Sequence, residues 1–169
     1  MAKRKILTDN DPTLRTICRP VPRITPRVVT LLDDMIETMR AANGVGLAAP
    51  QVGVLLRAVV IETEPGTVYE LINPEIIETS GEQEGSEGCL SLPGRSGHVK
   101  RPNYVKVKAL NRNGEEYILE GTELLARAIC HETDHLDGHL YIDFAEYMYA
   151  PEDEEDSPRL RKHARKRVR

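Results

Sequence analysis

Residues 124–138 constrain this chain more than any other stretch. Leu124, Ala128, His131 and His135 follow one another at steps of four, three and four, which puts them on one stripe of a helix. Leu125, Ile129 and Leu136 widen that stripe, so a helix this apolar belongs in the interior and carries two imidazoles on its buried side. Left unpaired, each buried polar group costs ~1–3 kcal/mol. The order His131-Glu132-Thr133-Asp134-His135 offers the remedy. Helical residues four apart lie one above the other, so both rings reach a single metal ion. Glu132 is turned by about 100° from its neighbour on the helix, close enough to touch a water at that ion without being a ligand.

Two ligands do not complete a site. Downstream, Gly138 is followed by Tyr141 where one large metalloprotease class has a third histidine. His139 lies beyond the glycine expected to end the helix, and residues 152–156 read as a solvated acidic run. Upstream, Glu87-Gly88-Cys89-Leu90-Ser91 sets a thiol in a stretch that also holds Gly81 and Gly85. A thiolate with two imidazoles makes three protein ligands and leaves a fourth position for water. Most reduced cysteines, however, are small buried hydrophobes, so the residues alone leave the role of Cys89 open. A third segment, Gly44-Val45-Gly46-Leu47-Ala48-Ala49-Pro50-Gln51, begins like a phosphate loop. A helix rather than a strand precedes it, Pro50 interrupts it, and no Gly-Lys-Ser/Thr follows. It reads as a turn in which Gln51 is an unexplained polar residue.

The remaining elements follow from periodicity. Residues 1–25, with Pro12, Pro20 and Pro22, read as an extended arm. Val28, Leu31, Leu32, Met35, Ile36 and Met39 predict an amphipathic helix over 26–42, with Thr25 as N-cap, Pro26 in the first turn and Asn43-Gly44 as its stop. Apolar runs predict strands at 57–62 and 68–73, and alternation predicts another at 104–110. Asn111-Arg112-Asn113-Gly114 then turns the chain into a hairpin partner at 116–119. Helix, strands, then helix describes an α+β fold: antiparallel strands wrapped around a central buried C-terminal helix, with an N-terminal amphipathic helix.

At 169 residues, 40% hydrophobic and 30% charged, the chain suits one globular domain. Three cysteines, Cys18, Cys89 and Cys130, are an odd set that favours reducing surroundings. No apolar stretch approaches the ~20 residues of a membrane span, and the basic start is not followed by an apolar signal core. The expectation is a cytoplasmic protein without a membrane partner. Charge is distributed unevenly. Residues 159–169 hold seven Lys or Arg and no acid, leaving 16 basic against 27 acidic residues elsewhere. Residues 1–150 are expected to form a single catalytic domain, and 151–169 an acidic-then-basic tail.

Taken together, Gly44-Val45-Gly46-Leu47-Ala48-Ala49-Pro50-Gln51, Glu87-Gly88-Cys89-Leu90-Ser91 and His131-Glu132-Thr133-Asp134-His135-Leu136-Asp137-Gly138 resemble, in order and spacing, the three signature motifs of the peptide deformylase family. The resemblance spans nearly the whole chain. One departure is Cys130, where the family commonly has Gln, a substitution that bears on how the first metal histidine is supported.

The resemblance implies hydrolysis of the N-formyl group from the initiator methionine of nascent bacterial-type chains, releasing formate. It implies Cys89, His131 and His135 as ligands of one divalent ion, with Fe(II) native and Zn, Ni or Co possible. Glu132 would carry the proton, while the Gln51 amide and Leu90 N–H would face the developing oxyanion. Val45, Leu124, Leu125 and Ala128 are candidates for a methionine slot, and Gly46 with the Glu87-Gly88 backbone for pairing with the peptide as an added strand. The basic tail suggests ribosome contact, and no DNA partner is expected.

Two other readings compete. A metallo-endopeptidase needs a third ligand downstream, and a structural-zinc protein needs a fourth, for which Cys130 is the spare thiol.

Overall fold

The computed structural model describes residues 2–150, so the expected tail at 151–169 lies outside the described residues. Helix α1 (Pro26–Ala41) forms where the apolar period places it, with Pro26 in its first turn. Thr25 occupies the N-cap position with extended backbone, but its hydroxyl makes no capping bond. The stop comes from Asn43, which takes φ 57°, followed by Gly44 N–H donating to the Met39 carbonyl at 3.0 Å. Three strands follow: β1 (Gly46–Ala48), β2 (Ala58–Glu64) and β3 (Thr67–Ser80). The chain continues through β4 (Gln83–Cys89), β5 (Leu92–Arg101), β6 (Tyr104–Leu110) and β7 (Glu116–Thr122) into helix α2 (Glu123–Leu136), then a short β8 (Tyr147–Tyr149).

Among the described residues the strands form two antiparallel sheets, ordered β1-β2-β3-β6-β7 and β4-β5-β8. Strand β2 explains how the layers stack. Ala58 and Val60 pack into a cluster with Leu32, Met35 and Met39 of α1, while Val59 and Ile61 pack into another with Ile129 and Leu136 of α2. A strand covered on both faces must be apolar at every position, hence its unbroken hydrophobic run. Strand β6 has one wetter face and alternates, burying Val105, Val107 and Ala109. Helix α2 touches β1, β2, β6 and β7 of the large sheet and β5 of the small one. The protein is thus an α+β fold with antiparallel sheets and two helices.

Several expectations need correction. The arm at 2–25 is not simply extended: a 3-10 turn at Pro12–Arg15, capped by the Asp11 carboxylate, buries Leu14 among Leu92, Val99, Leu140 and Tyr141. Its backbone is tied to the motif segments, with Leu7 N–H donating to Gln51 O at 2.7 Å and Asp9 N–H to Ser91 O at 2.8 Å. Strand β3 continues well past residue 73 because β6 pairs with its second half as far as Ser80 opposite Tyr104. Helix α2 ends at Leu136 rather than at Gly138. Gly138 instead lets the arm pass, since a Cβ there would sit 2.6 Å from the Arg15 carbonyl oxygen. The turn expected around Gln51 is a 3-10 turn (Ala49–Val52). Strands β1, β4, β5 and β8 were not anticipated.

Candidate metal centre

Cys89 lies at the end of β4, just after a register shift against β5 between Glu87 and Cys89. His131 and His135 face it from α2, and the donor atoms of the three residues all lie within 4.8 Å of one another. Cys89 Sγ is 3.4 Å from His135 Nε2. The orientation of His131 is set by a residue whose side chain had no expected role. Glu87, only 2% exposed, faces His131 Nδ1 with its Oε1 at 2.8 Å. Arg101 grips the same carboxylate with two N–H groups, at 2.7 and 2.9 Å, and Arg127 adds a third contact at 2.7 Å. Burial would raise the pKa of Glu87, but the hydrogen bonds from Arg101 and His131 hold it well below the usual carboxylate range. An ionised Glu87 beside Nδ1 fixes the ring so that Nε2 is the nitrogen left to face Cys89. Burial and the neighbouring His131 push His135 down, toward the neutral ring that ligates.

Gln51 is aimed with equal care. Its Oε1 accepts from Ala48 N–H at 2.9 Å, which leaves the amide nitrogen 3.1 Å from Ser91 Oγ and 3.5 Å from Cys89 Sγ. Glu132 is buried, and its Oε1 has no hydrogen-bond partner among the described residues. Desolvation raises its pKa to about 7. The carboxylate lies in the space that Gly46 leaves: a Cβ there would approach Glu132 Cγ and Cδ to 2.9 Å.

One pocket collects Val45, Gly46, Gln51, Glu87, Gly88, Cys89, Leu90, Leu124, Ala128, His131 and Glu132, with Gly44 and Arg127 completing its lining. His135 does not line it, though its ring nitrogen converges with the donors of Cys89 and His131. Leu125 is the exception. It does not line this pocket but faces a neighbouring groove beside Gly121, where a Cβ on the glycine would meet Leu125 Cγ at 2.7 Å. Cys130 and His139 are not among the converging donors. Burial pushes the Cys130 thiol up to about 11, so it remains a protonated, inert side chain. The Arg101 and Arg127 contacts to Glu87 escaped the sequence reading, because nothing in residue spacing links positions on β4, β5 and α2.

The donor set suits a metal. One sulfur and two imidazole nitrogens, one of the rings already bonded through its other nitrogen to a carboxylate, is the chemistry of a three-ligand catalytic site. With a buried carboxylate beside it, the arrangement suits a metal-dependent hydrolase.

Comparison with known proteins narrows the class. Residues 3–149 match the polypeptide deformylase family. The peptide deformylase of Agathobacter rectalis is 60% identical over 146 residues, 86% of this chain and 92% of the relative. That of Acetivibrio thermocellus is 57% identical over 98% of this chain and 96% of its own length. The crystal structure of a peptide deformylase from Legionella pneumophila superposes with a TM-score of 0.83 at 42% identity, covering 98% of this chain and 93% of that one. The chain belongs to the polypeptide deformylase family. It is a hydrolytic enzyme of protein biosynthesis that removes the N-formyl group from nascent polypeptides, and the family is metal-dependent.

Proposed function

We propose that Cys89, His131 and His135 hold one divalent ion, Fe(II) in its native state, and that the pocket in front of it receives the formylated methionine of a nascent chain. The observation that carries this reading is the approach of the three donor atoms to within 4.8 Å of one another, beside a pocket that Cys89, His131 and the Glu132 carboxylate line. An ion held there supplies a Lewis acid that polarises the formyl group and brings the pKa of a coordinated water from ~16 toward ~7.

The protein groups do the rest. Glu132, with a pKa near neutrality, takes the proton of the attacking water and passes it to the leaving amine, so that formate departs. The Gln51 amide and the Leu90 backbone N–H stabilise the negative charge growing on the formyl oxygen, a contribution of ~10²–10³ in rate per donor. Val45, Leu124 and Ala128 offer apolar walls for the methionine side chain. Strands β1 and β4 are both sheet edges beside the pocket, and the backbone around Gly46 and Glu87-Gly88 can pair with an extended peptide lying between them.

Residues 1–150 form the catalytic unit in this reading, and 151–169 a tail whose basic end contacts ribosomal RNA. The compartment is the cytoplasm. In support, no helix among the described residues is long and apolar enough to cross a membrane. The decisive assay is formate release from a formyl-Met peptide by anaerobically purified protein, since an oxidised Cys89 no longer ligates. The reading requires turnover in the wild type and its loss in Cys89→Ser; equal activity in both would remove the thiol from the site.

A further inference from the structure

A second cluster among the described residues brings three metal-ligating side chains together, and it shares no residue with the catalytic centre. Glu84 on β4, His98 on β5 and Glu146, just before β8, place their donor atoms within 4.8 Å of one another. His98 Nε2 stands 3.1 Å from Glu84 Oε1 and 3.9 Å from Glu146 Oε1. The backbone builds this convergence. The β4–β5 ladder pairs Glu84 with Lys100 and Ser86 with His98, and Glu146 N–H donates to the His98 carbonyl at 2.8 Å.

The imidazole is also held from behind. Its Nδ1 lies 3.2 Å from the Tyr149 hydroxyl, and its face stacks on Tyr147 at 4.9 Å with an interplanar angle of 3°. With Nδ1 turned to the Tyr149 hydroxyl, Nε2 is the ring nitrogen that faces the two carboxylates. A divalent ion at this point would be ligated by all three groups at once. Tetrahedral bonds of 2.0–2.1 Å set neighbouring ligand atoms about 3.3 Å apart, a spacing that the two observed distances bracket. The carboxylates are half exposed, at 50% and 44%, so an ion enters directly from solvent. Calcium and magnesium favour all-oxygen shells, whereas one imidazole with two carboxylates suits zinc and similar borderline ions.

We propose that Glu84, His98 and Glu146 form a second divalent-cation site of the zinc class, which staples β8 to the small sheet. Lys100 Nζ, 3.7 Å from Glu146 Oε2, is the counter-charge that the ion displaces. Occupancy joins the segment that leads into β8 to β4 and β5 through three bonds, in addition to the short β5–β8 ladder.

The test is a calorimetric titration of Zn²⁺ into full-length protein that already carries one zinc at its Cys89 centre. Wild type takes up a second equivalent, and amide exchange at 147–149 slows as it binds. His98→Ala and the near-isosteric Glu146→Gln each weaken the second equivalent at least tenfold and abolish the exchange effect. A titration that ends at one equivalent, or a second equivalent unaltered in either variant, overturns the site and leaves His98 as the centre of an ordinary ion pair.

Discussion

Glu132 illustrates how much of the chemistry rests on what neighbouring residues lack. Its carboxylate fits only because residue 46 has no side chain, and it titrates near 7 because burial has removed the water that would stabilise its charge. Replacing it with Ala leaves the thiol and both rings in place. Glu132→Ala is therefore expected to retain a full equivalent of metal while losing at least a thousandfold in kcat; substantial turnover in a metal-replete variant would remove Glu132 from proton transfer. Spacing alone pointed to this residue, since an acid between two histidines four apart on a helix has few other uses. Glu87 was harder to see. Its backbone was expected beside the substrate, but its side chain orients His131, and that role depends on two arginines brought in from β5 and α2.

At the level of elements, periodicity was informative where one face was wet. The alternating β6 and α1 were legible almost to the residue, while the hairpin partner after Asn111 starts where expected but runs on from Leu119 to Thr122. Strands β4 and β5 escaped because Gly85, Gly88, Gly94 and Gly97, together with scattered charges, blur any alternation. Their burial follows from contact with α2 and the N-terminal arm rather than from their own composition.

The tie between α1 and β2 gives a test at this scale. Arg40 makes two hydrogen bonds to Glu62, both at 2.8 Å, and with the Gly66 N–H they lower the Glu62 pKa to about 2. A carboxylate whose folded pKa is depressed stabilises the fold above its unfolded pKa of about 4.3, and that benefit fades as pH falls toward the folded value. The Tm of Arg40→Met should accordingly lie below that of wild type at pH 6, with the gap closing between pH 4.5 and pH 2. A gap that stays constant with pH would show that the pair does not act through charge.

For the whole molecule, the two sheets and the arm exist to present α2 against Cys89 and Gln51, and the resemblance carried by three short motifs anticipated that convergence. Packing details such as the burial of Leu14 could not be read the same way, since they depend on partners more than seventy residues away. The charge asymmetry belongs to this scale as well. Truncation after Asp156 removes the basic stretch at 159–169 and should leave kcat/KM on short formyl-Met peptides unchanged, while weakening ribosome co-sedimentation in a salt-dependent manner. Loss of peptide activity would mean that the tail belongs to the catalytic unit.

X-ray absorption of the anaerobically purified protein addresses the central claim most directly. The account predicts one sulfur at about 2.3 Å and two imidazole nitrogens at about 2.0–2.1 Å around a single metal, with the sulfur shell absent from Cys89→Ser. A wild-type spectrum containing only nitrogen and oxygen neighbours would contradict it.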